Sequence, residues 1–199
     1  MAKERTRNDE RLRVAQVAAR LMAEDGIDDF AAAKRKAARQ VGMADMRQLP
    51  SNAEIEAALR THQTLYGGSE HDARIRELRA KALRVMRDLE RFNPYLTGSV
   101  LSGTAGKYAH IDLLLFTENE KAVELYLMQR GSYRAVQRRL WVGESARTAQ
   151  TFTVDDDGTE IELLVLALDD LRLPIKSTID GKPAERARLP AVEALLDDC

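Results

Sequence analysis

The sequence predicts an α+β fold in which a helical N-terminal half is followed by a small mixed β-sheet domain with flanking helices. Apolar residues recur at helical spacing as far as about residue 92. After Asn93-Pro94 the apolar stretches become short and rich in β-branched, aromatic and leucine residues, which is typical of strands. These two observations predict a helical region at 1–92, a sheet core at 93–170 and a C-terminal tail with a short helix at 171–199.

The first two helices are predicted from apolar periodicity and from the glycines that follow them. An apolar stripe at i, i+3, i+4 and i+7 predicts a helix over residues 9–24, which Gly26 ends. The stripe consists of Val14, Val17, Ala18 and Leu21. A second helix is predicted from about Asp28 to Gln40, because acidic residues suit the positive N-terminal end of a helix.

The third and fourth helices have clearer start and stop signals. Ser51 and Glu54 form an S-x-x-E capping box, in which the side chain of each residue accepts a hydrogen bond from the backbone N–H of the other. This helix is expected to end at Gly67-Gly68. The fourth helix is predicted from Ser69 to Asn93-Pro94, since proline disfavours a helical residue before it.

Five strands are predicted in the second half of the chain. They are Tyr95–Thr97, Ile111–Phe116, Tyr133–Trp141, Thr148–Val154 and Glu160–Leu166. A short helix is expected between the first two strands, a longer one at Glu118–Gln129, and a final one around Pro190–Leu196. The Asp155–Gly158 run is a turn sequence that joins the last two strands into a hairpin. Asp180–Pro183 is a further predicted turn, and Trp141 is expected in the core.

Polar residues next to three of these strands form the most informative pattern in the sequence. Gly98-Ser99 follows the first strand, and His110 and Asp112 stand at the start of the second, about ten residues later. Residues two apart in a strand project to the same side, so positions 110 and 112 are expected to lie together. Glu162, with Glu160 on the same face, lies in a later apolar strand.

This pattern resembles the polymerase-beta-like nucleotidyltransferase superfamily over residues 97–166. The superfamily signature is a glycine-serine pair, about ten residues of short helix and turn, and a strand with two carboxylates two positions apart. Gly98, Ser99 and Asp112 match it in type and spacing, and Glu162 looks equivalent to a third carboxylate. His110 stands in place of the first carboxylate. The whole chain also resembles a group of bacterial proteins with a helical N-terminal half and such a degenerate core. This resemblance does not indicate a function.

The resemblance implies metal-dependent transfer of a nucleotidyl group from an NTP to a hydroxyl acceptor on RNA, protein or a small molecule. In the superfamily, the paired carboxylates hold two Mg²⁺ ions that bridge the nucleotide phosphates. The resemblance therefore implies that Asp112 and Glu162 are catalytic residues and ligands of Mg²⁺ or Mn²⁺, with His110 and Glu160 as further ligands. The implied nucleotide-binding residues are Gly98, Ser99, Lys107, Arg134 and Arg138. Imidazole is a softer ligand than carboxylate and suits zinc or manganese better than magnesium. One alternative is therefore a non-catalytic module that binds a nucleotide or an RNA. A further alternative is a helical interaction protein whose sheet domain is purely structural.

Each of these residues is also compatible with an ordinary structural role. Gly98-Ser99 is compatible with a strand-to-loop turn, and Asp112 with a surface position on an edge strand. His110 is compatible with a half-exposed histidine, and the two glutamates with the polar face of a hairpin. The arginines of the third strand are compatible with an exposed strand face. The basic run Lys34–Lys36 either contacts phosphates or forms a solvated helix face.

The composition is that expected of a cytoplasmic protein. The chain has 199 residues, 44% hydrophobic and 32% charged, and a net charge of −1, so no global field directs it to nucleic acid or anionic lipid. A single cysteine, Cys199, cannot form an intrachain disulfide. The charged N-terminus does not resemble a secretory signal, and the apolar runs are too short for a membrane partner to be expected. The G-x-x-x-x-G-K-[ST] loop of P-loop enzymes is missing from the sequence.

Overall fold

The computed structural model describes residues 2–27, 29–43, 48–176 and 183–197. The chain divides into two compact units, one of Met1–Arg74 with Gly103–Ala109 and one of Ile75–Ser102 with His110–Cys199. We call them the helical unit and the sheet unit. The domain boundaries predicted at residues 92 and 170 differ from this division and stay predictions. Within the described ranges, no helix combines the length and the apolar character that crossing a bilayer requires.

The helical unit is built on α1 (Ala2–Asp25), α2 (Phe30–Val41), α3 (Asn52–Tyr66) and the start of α4 (Gly68–Asp88). The predicted helical N-terminal half is thus confirmed, with ends within a few residues except at the start of α1. α1 packs against both α2 and α3. Their shared core is rich in alanine, and small side chains allow helices to approach closely. The buried core residues are Val14, Ala15, Ala18, Ala19, Leu21, Met22, Ala33, Ala37, Ala38, Ile55 and Leu59.

The capping box predicted at the start of α3 is present. Glu54 N–H donates to Ser51 Oγ at 3.2 Å, and Ser51 N–H donates to Glu54 Oε2 at 2.7 Å. The Arg11 guanidinium also donates to Glu54 Oε2, at 2.5 Å. These contacts lower the pKa of Glu54 from 4.5 to about 2, with the Arg11 hydrogen bond as the largest cause. The ionised form of Glu54 is therefore favoured by folding.

We expect acid to destabilise the helical unit partly through Glu54. Its pKa is depressed in the folded state, so its contribution is fully present above about pH 4.5 and is lost as the pH falls towards about 2. The Glu54→Gln variant should lose stability at pH 7 and show a flatter dependence on pH below 4.5. Urea midpoints at several pH values measure both effects. Glu56→Gln, which breaks an exposed ion pair with Arg60, is the control. Parallel pH profiles for wild type and Glu54→Gln would contradict the expectation.

The sheet unit contains one mixed sheet, which has seven strands within the described residues. They are β1 (Pro94–Thr97), β2 (Ile111–Thr117), β3 (Tyr133–Val142), β4 (Ser145–Asp156), β5 (Thr159–Ala167), β6 (Ile175–Lys176) and β7 (Arg186–Ala187). The order across the sheet is β6-β3-β4-β5-β2-β1-β7, with β2 and β5 parallel and the other neighbours antiparallel. The five predicted strands are confirmed. The two additional strands have two residues each, too few for a periodic pattern.

Besides two short 3₁₀ helices, four α-helical segments accompany these strands in the described part of the sheet unit. They are the remainder of α4, α5 (Gly98–Ser102), α6 (Glu120–Arg130) and α7 (Leu189–Asp197). α6 packs on β5 and α7 on β1. The predicted order of strand, short helix, strand, helix and three strands is therefore confirmed. The turn predicted at Asp180–Pro183 lies outside the described residues except for its last position.

The β4–β5 hairpin forms at the predicted turn. Asp156 pairs with Thr159, which leaves Asp157 and Gly158 as the two turn residues, with φ values of 48° and 76°. Positive φ at both positions is the conformation of a two-residue hairpin turn that asparagine, aspartate and glycine favour. Lys81 of α4 donates to Asp156 O at 2.8 Å and to Thr159 Oγ1 at 2.7 Å. These contacts hold the turn against the helix.

The two faces of the central strands differ in chemistry. On one face, the odd-numbered residues of β2 and β5 such as Leu113, Leu115 and Leu163 are almost completely buried. The other face, which we call the site face, carries an apolar cluster at one end and the polar residues Asp112 and Glu162 at the other. The cluster consists of Tyr95, Leu114, Phe116, Leu140, Val142, Ala149, Leu166 and Ile175. The change from apolar to polar along the site face positions the candidate site.

Trp141 is not a core residue, contrary to prediction. It lies on β3, its neighbours Leu140 and Val142 are buried, and its own side chain is 45% exposed. Alternation places it on the opposite face from those two residues. That part of β3 is near the edge of the sheet, next to the two-residue strand β6. The aromatic character of the strand therefore identified β structure correctly but not the direction of burial.

Candidate functional site

Gly98 brings the end of β1 into contact with the side chain of Asp112. β1 ends at Thr97, which pairs with Asp112 in the antiparallel register, and Gly98 then turns the chain into α5 with a φ of 72°. A Cβ atom added to Gly98 would lie 3.1 Å from Asp112 Cγ and 3.3 Å from Asp112 Cβ, and would overlap Asp112 Oδ2. Two features therefore require glycine at position 98: the left-handed backbone conformation and the close approach of the Asp112 carboxylate. Gly98 and Asp112 form one structural element.

A row of polar residues crosses the site face at the level of Asp112. The pairings Thr97↔Asp112, Asp112↔Glu162 and Thr153↔Glu162 run through four adjacent strands, β1, β2, β5 and β4. Paired residues point to the same face of a sheet, so the two carboxylates lie side by side with a threonine on each flank. Thr97 Oγ1 donates to Glu185 O at 2.6 Å and is already satisfied. The carboxylates are the reactive part of this row.

His110, Asp112 and Glu162 form a three-residue cluster. One candidate ligand atom from each residue lies within 4.8 Å of the other two. His110 Nε2 is 3.1 Å from Asp112 Oδ1, a hydrogen bond that holds the ring beside the carboxylate. The side chains are 34%, 26% and 26% exposed in that order, so a dissolved ion can reach them. In the described part of the chain, these are the residues that meet the geometric requirement for a metal site.

The comparisons with known proteins add no assignment to this cluster. No family model, curated protein or solved structure matches the chain. The ligand atoms of the cluster itself indicate what it can bind. One neutral imidazole and two carboxylates can hold a single divalent ion, with the charge of the ion balanced by Asp112 and Glu162.

Two arginines of β3 reach the carboxylates of β5. Arg138 Nη1 lies 3.0 Å from Glu162 Oε2, and Arg134 Nη2 lies 3.0 Å from Glu160 Oε1. Both arginine side chains are more than half exposed, so these ion pairs exchange readily with solvent and ligands. Glu160 is held in its pair with Arg134 and is not part of the three-residue cluster. The site face thus carries two arginine side chains near the cluster, each of which forms an ion pair with a glutamate.

Two other predicted nucleotide-binding residues, Ser99 and Lys107, make different contacts. Ser99 is half-buried in the first turn of α5, where its carbonyl oxygen accepts a hydrogen bond from Ser102 Oγ at 3.4 Å. Lys107 belongs to the helical unit, and its Nζ lies 5.4 Å from the centroid of the Tyr108 ring. The roles of Ser99 and Lys107 in nucleotide binding stay predictions. In the basic run of α2, Lys36 forms an ion pair with Asp25 at 2.8 Å.

Two clefts are formed by other residues, and none of the three cluster residues lines either of them. One, of about 910 Å³, is lined by residues of α1 and α3 in the helical unit, among them Leu12, Leu65 and Tyr66. The other, of about 500 Å³, is formed by residues of α6, β3 and β4, among them Glu124 and Phe152. Both clefts carry ionisable side chains, such as Glu24 and His62 of the first, which are 3.5 Å apart. Among the described residues only the cluster meets the geometric requirement for a metal site, which makes it the better candidate for metal-dependent chemistry.

Sequence reasoning missed the environment of the predicted carboxylates. Thr97 and Thr153, which flank Asp112 and Glu162 in the row, were not identified as part of the site. Arg138 was expected to meet a phosphate, and its ion pair with Glu162 was not expected. A signal existed only for Thr97, because it directly precedes the glycine-serine pair. Thr153 and Arg138 depend on the pairing of β3, β4 and β5.

Proposed function

We propose that this protein is a nucleotidyltransferase-like protein that transfers a nucleotidyl group from an NTP to a hydroxyl acceptor in a metal-dependent reaction. The observation that carries the proposal is the position of Asp112, whose side chain is contacted by Gly98 at the start of α5 and lies beside Glu162 of the neighbouring strand β5. That arrangement is what the resemblance of Gly98-Ser99 and the following strand to the superfamily implies. Its acceptor is a hydroxyl on RNA, protein or a small molecule.

The residues present fit one divalent ion better than the magnesium pair that the resemblance implies. Two carboxylates, rather than three, stand next to the Nε2 atom of His110, and one of them already faces Arg138. No step is therefore assigned to a magnesium pair. A bound divalent ion would place positive charge next to the phosphates. It would thereby reduce the repulsion between the phosphates and the two carboxylates.

The side chains of the site have separate tasks in such a transfer. The acceptor oxygen forms a bond to the α-phosphorus while the bond from that phosphorus to the pyrophosphate oxygen breaks. Glu162, on the strand next to Asp112, is placed to accept the proton of the acceptor hydroxyl. Arg134 and Arg138 supply positive charge for the phosphate groups. The Ser99 hydroxyl can donate a hydrogen bond to a phosphate oxygen.

A non-catalytic binding module is the second candidate function. It is favoured by His110, which replaces a negative charge with a neutral ring, and by the ion pair between Arg138 and Glu162. Both features reduce the negative charge available for metal ions. Such a module would bind a nucleotide or an RNA without consuming it, and RNA binding through phosphates would weaken as salt rises.

The test is thermal unfolding of the full chain with each NTP, with and without Mg²⁺ or Mn²⁺, together with a measurement of pyrophosphate release. At an NTP concentration 100 times the Kd, the melting temperature should rise by roughly 5–10 °C. Asp112→Asn should abolish the metal-dependent part of the shift and the turnover. Glu193→Gln, which removes a carboxylate of α7 that is paired with Arg87 of α4, is the matched control.

Four outcomes of this experiment are informative. A metal-dependent shift with pyrophosphate release supports the transferase. A shift without release supports the binding module. The absence of any shift with all NTPs and both metals overturns both candidates, and an unaltered shift in Asp112→Asn removes the cluster from the nucleotide site.

A further inference from the structure

The charges around the cluster suit one divalent ion. Asp112 and Glu162 together supply two negative charges, which match a single ion of charge +2. Arg138 adds a positive charge 3.0 Å from Glu162, so a second ion at the same place would meet net repulsion. The nearby Glu160 carboxylate does not compensate for this, because it is paired with Arg134 at 3.0 Å. The electrostatics therefore limit the cluster to one ion.

The donor atoms favour a transition-metal ion over magnesium. Mg²⁺ binds almost entirely through oxygen and demands near-octahedral geometry, whereas Mn²⁺, Fe²⁺, Co²⁺ and Zn²⁺ accept imidazole nitrogen with carboxylate oxygen. His110 Nε2 lies 3.1 Å from Asp112 Oδ1 and so is held beside the carboxylates. The ring is therefore in position before an ion arrives. To bind an ion, Nε2 must give up the proton that it donates to Asp112, either to solvent or by a change of tautomer that leaves the proton on Nδ1.

The spacing of the donor atoms is close to that of a formed site. The three atoms lie within 4.8 Å of one another, and two ligands of one ion with bonds of ~2.0–2.2 Å are separated by at most about 4.4 Å. Small rotations of the Asp112 and Glu162 side chains are sufficient to close the difference. The rotation of Glu162 must release Oε2 from Arg138. Arg138 is consequently a competitor of the ion.

We propose, building on the function proposed above, that His110, Asp112 and Glu162 form a one-ion site that selects a transition-metal ion of the Mn²⁺–Zn²⁺ class over Mg²⁺. The ion displaces Arg138 from Glu162, and the released guanidinium becomes available to a phosphate group. Ion selection depends on the ligand set alone and needs no nucleotide. The site can therefore be tested separately from nucleotide binding and turnover.

The test is a Mn²⁺ titration of the full, tag-free chain without nucleotide, with free Mn²⁺ measured by electron paramagnetic resonance. We expect one Mn²⁺ per chain, and half-displacement only when Mg²⁺ is in more than about ten-fold excess. His110→Ala should weaken Mn²⁺ binding at least about ten-fold, since even the loss of a group that orients a ligand has an effect of that size. His110→Asp should bring the two metals to similar affinities. Zn²⁺ displacing Mn²⁺ at equal concentration is expected from the same ligand set.

Two further variants keep the test independent of folding defects. Arg138→Gln should raise Mn²⁺ affinity by roughly ten-fold, because a charge-assisted hydrogen bond to Glu162 no longer competes. Misfolding cannot produce that gain. Glu193→Gln, which breaks an exposed ion pair with Arg87 outside the site, should leave the affinity unchanged. The proposal is overturned if folded wild-type protein binds no Mn²⁺, if Mg²⁺ displaces Mn²⁺ below ten-fold excess, or if His110→Ala binds like wild type. Failure of nucleotide binding, by contrast, leaves metal selection intact.

Discussion

The Gly98→Ala variant is expected to lose more stability than Gly158→Ala, a single-methyl change at the β4–β5 turn, and to bind metal weakly. Two costs add. A left-handed backbone disfavours alanine by roughly 1–2 kcal/mol, and Gly98 has a φ of 72°. The new Cβ would also lie 3.1 Å from Asp112 Cγ, so the carboxylate must move away from its place beside Glu162. Urea unfolding and Mn²⁺ titration measure the two consequences.

Gly158 provides a matched control for Gly98. It has almost the same φ, 76°, but no atom lies within 4 Å of a Cβ built at that position. Gly158→Ala therefore measures the backbone cost alone, and it should leave metal affinity unchanged. The double variant Gly98→Ala/Asp112→Ala should unfold at a higher urea concentration than the sum of the single effects indicates, because the clash is absent. Equal costs at Gly98 and Gly158 would show that the contact with Asp112 has no energetic weight.

The second large effect is expected from Phe116→Ala, which should destabilise the sheet unit by about 3–5 kcal/mol. Phe116 is completely buried in β2, at the apolar end of the site face. Its ring meets Tyr95 edge-on at 5.4 Å between centroids, and the Arg186 guanidinium lies 5.3 Å from its centroid. Alanine would lose the transfer free energy of the ring and leave a cavity beneath both partners. Since domains are typically stable by only about 5–15 kcal/mol, the loss is severe.

Leu125→Ala is the comparison for the Phe116 variant. Leu125 lies on α6 of the same unit with its side chain 60% exposed, so its truncation should change the free energy of unfolding by no more than about 0.5 kcal/mol. Denaturant unfolding of both variants, followed by circular dichroism, gives the difference directly. A cost for Phe116→Ala similar to that for Leu125→Ala would contradict the burial assigned to the apolar end of the site face.

Local signals account for the parts of this protein that the sequence determined by itself. The capping box of Ser51 and Glu54 joins residues three positions apart, and the Asp157-Gly158 turn needs only neighbouring residues with positive φ. Strand alternation likewise placed His110 and Asp112 on one side, as their hydrogen bond confirms. In each case the interacting residues are at most three positions apart in the sequence, so residue type and spacing are sufficient to predict the contact.

Only the tertiary structure decided which distant residues meet. Arg138 and Glu162 are 24 residues apart and lie on strands separated by β4, so their ion pair depends on two registers at once. The position of Glu162 opposite Asp112 depends on the parallel pairing of β2 with β5, and the exposure of Trp141 on the position of β3 in the sheet. A shift of one residue in any of these registers would turn the side chains to the opposite face. Register is set by packing over the whole sheet, and a local sequence pattern does not contain it.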